Sequence, residues 1–404
     1  MEKTSAAVTT PAGAADRSRR VMIGLVAVVA LLFWASLYLY APTLPVYVQN
    51  RSTSLAMVGV ILAQYGLWQA VIRLPLGIAA DWLGRRKPFI IAGLALAALG
   101  AWTMGTADSS YGLLIGRAIS GLAAAAWVPL IVLFSSLFPA REAVRATSIL
   151  TIVASVGRVA ATSVTGTLNM LGGYSLAFFL AAVAASLGLA LMLPAREQAR
   201  PRQRPSFTGV RILVTRRDVL VPALIGAVLQ YIVWAVSFGF TVILADQLGA
   251  TGVQQSMLMT IHIGMAMVGS LASATLVGRF GARRLVYATL GLMAIGTGAI
   301  AFAPSLGIVF GAQLLLGLAQ GVGYPVLMGL SIRDVDDAQR TTAMGLHQSV
   351  YAIGMFVGPW LSGLLADKIG IRPMLAVTAP ACLVAGILLL QLLPRRQQIG
   401  EAPA

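Results

Sequence analysis

Apolar runs follow one another along the chain, separated by short stretches carrying charge, glycine or proline. A helix needs roughly 20 apolar residues to cross a bilayer core. Twelve windows meet that requirement: 21–48, 54–80, 88–106, 111–138, 146–168 and 175–194, then 219–245, 253–277, 285–303, 306–331, 341–365 and 372–393. They are too long and too continuously apolar for the tilted, alternating strands of a barrel. The pattern predicts an all-α membrane protein with twelve transmembrane helices, in which abundant Gly and Ala let neighbouring helices approach closely in lipid.

The windows fall into two sets of six, and the sequence repeats with them. GIAADWLGRRK at Gly77–Lys87 is echoed by ATLVGRFGARR at Ala274–Arg284. Setting Gly84 on Gly281 gives a shift of 197, which also sets Gly157 on Gly354 and Gly166 on Gly363. The reading is two pseudo-symmetric six-helix bundles, 21–195 and 219–396, joined by a basic linker at 196–218 and flanked by tails at 1–20 and 397–404.

Composition reaches the same class independently, since 58% hydrophobic and 10% charged residues over 404 positions exceed what a soluble core can hide. Basic residues gather on one face: Arg17, Arg19 and Arg20; Arg85, Arg86 and Lys87; Arg141 and Arg145; Arg196 through Arg217; Arg279, Arg283 and Arg284; Arg333 and Arg340; Arg395 and Arg396. Loops on the other face hold Arg51, Lys368 and Arg372. The positive-inside rule then places both termini and the linker in the cytoplasm, and the inner or plasma membrane is the expected location. A net charge of +16 spread over one membrane face, without a continuous stripe, argues against a nucleic-acid partner and for unspecific contact with anionic lipid headgroups.

Other chemistry is sparse. Residues 1–15 read as a polar tail before an uncleaved first helix. Cys382 sits inside the last window, and Asn50-Arg51-Ser52 matches a glycosylation sequon only weakly. There is no zinc-ligand spacing, catalytic triad or P-loop, so no enzyme activity, metal, cofactor or ATP hydrolysis is expected and an ion gradient is the energy source.

Gly77, Asp81, Gly84, Arg85, Arg86 and Lys87 look like the loop signature between the second and third helices of the major facilitator superfamily. Leu114-Ile115-Gly116-Arg117 with Gly121 is similar to its fourth-helix arginine motif, and Gly354, Gly358, Pro359 and Gly363 resemble its glycine-proline motif in the eleventh helix. Within the superfamily the chain looks nearest the bacterial twelve-helix drug:proton antiporters. The resemblance implies that Asp81, with Gly77, Gly84, Arg85 and Arg86, forms a latch against the start of the eleventh helix when the protein faces outward. Read physically, Gly77 and Gly84 permit close helix contact and a tight turn, and Asp81 is an acid within reach of basic groups. The sequence departs from the family at Trp82, where a basic residue is usual, at Gly278, which replaces the second acid, and in the fifth helix, where Arg158 follows Gly157 and Thr162 stands opposite Pro359.

Charges within the windows are the sharpest clue to function, because each is costly in lipid and normally faces the bundle interior. Arg73, Arg117 and Arg158 qualify, whereas no Asp or Glu lies deep in any window. Guanidinium forks without acids favour a substrate carrying carboxylate or phosphate. The alternative is that these arginines bond backbone carbonyls and side chains between helices, with Arg73 pairing toward Asp81. For proton coupling the candidates are His262, aligned by the repeat with Tyr65, His347 near the inner end of the eleventh helix, and Asp81. The superfamily's cavity-lining helices would contribute Tyr38, Tyr40, Trp127, Gln230, Tyr231, Trp234, Gln320 and Tyr324.

The expected function is secondary-active transport by alternating access: proton-coupled export of a small amphiphilic, anionic or zwitterionic molecule by a monomer. An organic-anion or sugar-phosphate-like uptake or exchange carrier is the alternative within transport, and a membrane receptor that has lost turnover is the alternative outside it.

Overall fold

A computed structural model describes residues 12–139, 142–195, 197 and 213–393; within these, the side chains of 12–18, 81, 143, 144 and 337–341 lie outside the description. The first half holds α1 (Ala12–Tyr38), α2 (Leu55–Leu83), α3 (Lys87–Gly105), α4 (Ser110–Ser135), and a helical stretch, Ala143–Met192, that contains two spans. At 1.5 Å per residue that stretch would run about 75 Å, more than twice a bilayer core. It breaks at Gly172 (φ −147°, ψ 24°) and Gly173 (φ 67°, ψ 179°), a left-handed φ open to glycine, giving α5 (143–171) and α6 (174–192). The second half follows with α7 (Arg217–Gln247), α8 (Gly252–Phe280), α9 (Ala282–Ala301), α10 (Leu306–Ile332), α11 (Asp337–Ile369) and α12 (Ile371–Gln391). The twelve-helix expectation is met. The first window is corrected: α1 ends at Tyr38 and the chain restarts as a short helix, Leu44–Gln49, because Pro42 and Pro45 cannot supply the amide hydrogens that a continuous helix would require.

The repeat is visible in the packing. A Cβ on Gly157 would lie 2.7 Å from the Leu31 carbonyl of α1, and one on Gly354 would lie 2.0 Å from the Ala227 carbonyl of α7. Gly121 approaches the Tyr65 carbonyl of α2, and Gly317 the His262 carbonyl of α8, in the same manner. Gly358 packs on Tyr231 of α7. These glycines are the close approaches that hold each bundle together.

A different set joins the halves. Gly59 of α2 meets Pro359 and Gly363 of α11, and Gly166 of α5 meets Gly252 of α8, so α2/α11 and α5/α8 are the two seams. The tightest of these contacts lie at the end remote from the arginine-rich loops, where the Leu55 N–H also donates to Asp367 Oδ1 (2.8 Å). Toward the basic end, a Cβ on Gly77, Gly278 or Gly345 would meet nothing within 4 Å. The described arrangement is therefore closed at the far end and open at the basic end. In this arrangement no described helix approaches Gly77, whose latch role is expected of the outward-facing state. Gly84 (φ 67°) and its repeat partner Gly281 (φ 79°) do form tight turns at that end.

Trp82 and Phe280 are exposed near the basic end, as are Trp102, Tyr111 and Phe302 near the far end, two levels of aromatic rings that match the headgroup regions of a bilayer.

Candidate functional site

The first wall of the site is a stripe on α2, Tyr65–Gln69–Arg73, whose spacing of four stacks these side chains on one face. Arg73 is buried and donates to Gln69 Oε1 (2.9 Å) and across the seam to the Tyr351 hydroxyl of α11 (2.7 Å). Arg117 of α4 is also buried; its guanidinium sits 4.3 Å from the Tyr65 ring centroid and 5.9 Å from that of Trp234 on α7. Arg158 of α5, half-buried, donates to Ser155 Oγ (2.9 Å) and lies 5.0 Å from the Trp34 ring and 5.8 Å from that of Tyr38, whose hydroxyl is within its reach.

No carboxylate among the described side chains reaches any of the three arginines, and the Nε of each is buried without a partner. Aromatic faces return about 0.5–2 kcal/mol per cation. That is less than the several kcal/mol of desolvation each buried ion carries, so the set remains short of negative charge. Tyr324 of α10 joins the cluster edge-on to Tyr351 (5.7 Å) and facing both Arg73 and Arg158.

Above this cluster a narrow pocket lies between Tyr38, Leu62, Tyr65, Arg117, Trp234 and Phe238. Tyr65 and Trp234 stack at 4.8 Å on the side of the pocket that faces the arginines and so roof the cluster, while Ala41, Leu44, Leu62 and Phe238 line the pocket nearer the far end. Trp234 and Phe238 belong to a nine-residue π-helical segment of α7, Ile232–Phe240.

The predicted histidines differ. His262 is fully buried, with Nδ1 3.0 Å from Gln313 Oε1 and Nε2 2.7 Å from Gln320 Oε1, and Phe238 meets its ring edge at 5.0 Å. His347 is equally buried with Nδ1 2.7 Å from Ser331 Oγ, and its Nε2 has no partner. Ser331 gives its hydroxyl hydrogen to the Val219 carbonyl (3.1 Å), so His347 carries its hydrogen on Nδ1.

Of the sequence candidates, Tyr38, Arg73, Arg117, Arg158, Trp234 and Tyr324 converge, Gln320 is engaged by His262, and Gln230 is buried below the pocket with an unpartnered Oε1. Tyr40 donates to Ser120 Oγ and Tyr231 bonds Ser362, both in packing positions. The latch expectation at Asp81 and the start of α11 falls on side chains outside the description. Sequence reading passed over Tyr351, Gln69, Gln313 and Trp34. The i, i+4 spacing of Gln69 to Arg73 was the available signal, whereas Tyr351 and Gln313 had none.

The likeness to known proteins agrees with this architecture. The chain is 37% identical over 109 residues to the inner membrane transport protein YajR of Escherichia coli, a stretch covering 27% of this chain and 24% of that protein. It is 26% identical over 353 residues, 83% of this chain and 84% of the relative, to a chloramphenicol efflux pump of Mycobacterium tuberculosis. A crystal structure of a bacterial homologue of the human lysosomal transporter Spinster, inward-facing and occupied, superposes with a TM-score of 0.78 at 14% identity over 96% of this chain and 99% of that one. A model of the Major Facilitator Superfamily matches residues 26–236 and 223–404. With twelve spanning helices among the described residues, in two repeats, two interbundle seams and a central cluster where the seams part, this multi-pass membrane protein belongs to the Major Facilitator Superfamily of transporters.

Proposed function

We propose that the protein exports a small amphiphilic molecule bearing a carboxylate or another anionic group, by alternating access and in exchange for protons. The carrying observation is the convergence of Arg73, Arg117 and Arg158 with no described carboxylate among them. A substrate anion supplies the missing charge, and the rings of Trp34, Tyr38 and Tyr324 receive its apolar part. Similarity to an efflux pump supports the outward direction. The arginine-rich loops support an inner-membrane placement with cytoplasmic termini, so the opening at the basic end would face the cytoplasm, the loading side of an exporter. Both halves and both seams come from one chain, which supports a monomer.

A second reading, exchange of one organic anion for another without protons, is favoured by the absence of a described acid in the cluster. Reconstitution into liposomes separates them. Under the first reading a pH gradient alone drives accumulation of an aromatic carboxylate; under the second, accumulation requires a counter-anion. Thermal stabilisation by lipophilic cations and not by carboxylates would refute both.

A further inference from the structure

Four groups form an unbroken hydrogen-bond chain from the central cluster to the roof: Gln320, His262, Gln313 and the Ser237 carbonyl. Gln313 Nε2 donates to the Ser237 oxygen at 3.0 Å. A carbonyl accepts only, so the amide nitrogen of Gln313 must face Ser237 and its oxygen must face His262 Nδ1 (3.0 Å), which therefore carries a hydrogen. Gln320, 2.7 Å from Nε2, has no other hydrogen bond among the described residues and is free to present either end of its amide. When the imidazole is neutral, Gln320 donates an amide hydrogen to Nε2. When a proton binds Nε2, the amide inverts and its oxygen accepts the new N–H. Both nitrogens are then donors and the cation is shared between two glutamine oxygens.

Ser237 lies in the π-helical segment that also bears Trp234 and Phe238, and the structure has that segment intact with the far end closed. Nothing charged competes for the imidazole. From α7 it meets Phe238, with the Ser237 carbonyl reached through Gln313, and from α10 it meets Gln313 and Gln320, with Tyr324 one turn beyond Gln320 along that helix. From α5 the described hydrogen bond to α8 is Thr260 to Thr162, Arg158 one turn from Thr162 being engaged by Ser155 and Trp34, and the titratable residues of α9, Arg283, Arg284 and Tyr287, sit at the other end of that helix. Arg117 reaches this wall only through the rings of Trp234 and Phe238.

We propose that protonation of His262 locks the roof: the imidazolium tightens its hold on Gln313, Gln313 holds the Ser237 carbonyl, and the π-helical register that keeps Trp234 over Tyr65 is retained. Loss of the proton lets α7 rewind and the far end open. The sign suits the reading above, on which this rests, because a proton taken up at the far side would return an emptied exporter to its basic-end-open state.

The test uses the full chain with Cys382→Ala and spin labels on Met170→Cys and Gln247→Cys, exposed far-end positions on the two halves, in lipid without substrate. Lowering the pH from 8 to 5.5 is expected to raise the ratio of short to long distances about tenfold. His262→Gln, and Gln313→Met with the imidazole intact, should each remove that response. Gln320→Met is the alternative cut if Gln313→Met loses its thermal transition. A pH response that survives in these variants, or is missing from the parent, overturns the relay, even where proton-driven transport persists. A response that the variants abolish, in a protein whose transport ignores the pH gradient, sustains the relay and refutes proton antiport.

Discussion

Replacing Gly59 with alanine should push the protein out of the arrangement described above without unfolding it. The added Cβ would stand 2.3 Å from the Pro359 carbonyl oxygen and 2.8 Å from Gly363 Cα, both backbone atoms on the opposite half, where ordinary contact is 3.4–4 Å. The two helices must separate by about 1 Å, and overpacking of this kind costs roughly 1–3 kcal/mol. Because the contact exists only while the far end is closed, the cost falls on that state alone and shifts the ratio of states by about 5–150-fold toward far-end-open. Gly354→Ala makes as severe an overlap, 2.0 Å from the Ala227 carbonyl, but inside one half. Both states bear it, so thermal stability should fall while the state ratio holds. Distances between spin labels across the far end, read beside a melting curve, separate the two effects. An unchanged distance distribution in folded Gly59→Ala, or a shift as large in Gly354→Ala, would refute the assignment of these glycines to seam and bundle.

Three further outcomes are expected. Arg158→Gln should weaken binding of an aromatic carboxylate by about 1–3 kcal/mol while leaving thermal stability within about 1 kcal/mol, because the lost ring contacts are offset by removal of a poorly paired charge; calorimetric titration with the carboxylate and its amide checks this, and equal losses for both ligands would remove the ionic role. Tyr351→Phe takes away the hydroxyl that Arg73 reaches across the α2/α11 seam, a bond to a charged group of about 1.5–3 kcal/mol; spin-label distances should shift toward far-end-open, and no shift would mean that Arg73 finds an equivalent partner. Glu197 accepts the N–H groups of Arg86 (2.6 Å) and Lys87 (2.9 Å) at the start of α3, while Lys87 Nζ donates to the carbonyls of Leu193 (2.6 Å) and Ala195 (2.7 Å) after α6. Glu197→Ala should therefore lower stability by about 1–2 kcal/mol, as loss of an N-terminal cap does, and an unaltered melting temperature would show that water serves as well.

The elements that lipid dictates were legible. Span length, arginine placement and the shift of 197 are each set by a constraint acting on the whole segment, and they survive without knowledge of any contact. The seam glycines were visible only as repeat positions: the shift carries Gly166 onto Gly363, which both meet the facing half, and equally Gly157 onto Gly354, which pack inside their own halves, so the sequence did not tell seam from bundle. The arginines announced themselves by cost, but their partners did not. Tyr351 is one aromatic among many apolar neighbours, and only the meeting of α2 with α11 gives its hydroxyl a role. The π-helical register of Ile232–Phe240 was invisible because IVWAVSFGF reads as any apolar run. The Ser237 carbonyl in it is held by Gln313, a residue 76 positions away. The Pro42–Pro45 break was written in the sequence and lost only because apolarity continues through it.

The two seams are equivalent by symmetry yet unequal in chemistry. Along α2/α11 the halves exchange two hydrogen bonds among the described residues, Leu55 to Asp367 and Arg73 to Tyr351, spread over nearly the full thickness of the core, whereas along α5/α8 the described polar bridge is one threonine pair, Thr260 to Thr162 at 2.9 Å. Rocking that opens the far end should begin along the weaker α5/α8 line, with the α2/α11 contacts at Leu55, Gly59 and Arg73 parting after it. The first gap would then appear beside α5 and α8, facing the acyl chains before the pore clears to water. An amphiphilic cargo would have a sideways exit into the outer leaflet, and release would be governed by its partitioning into lipid as much as by its solubility outside.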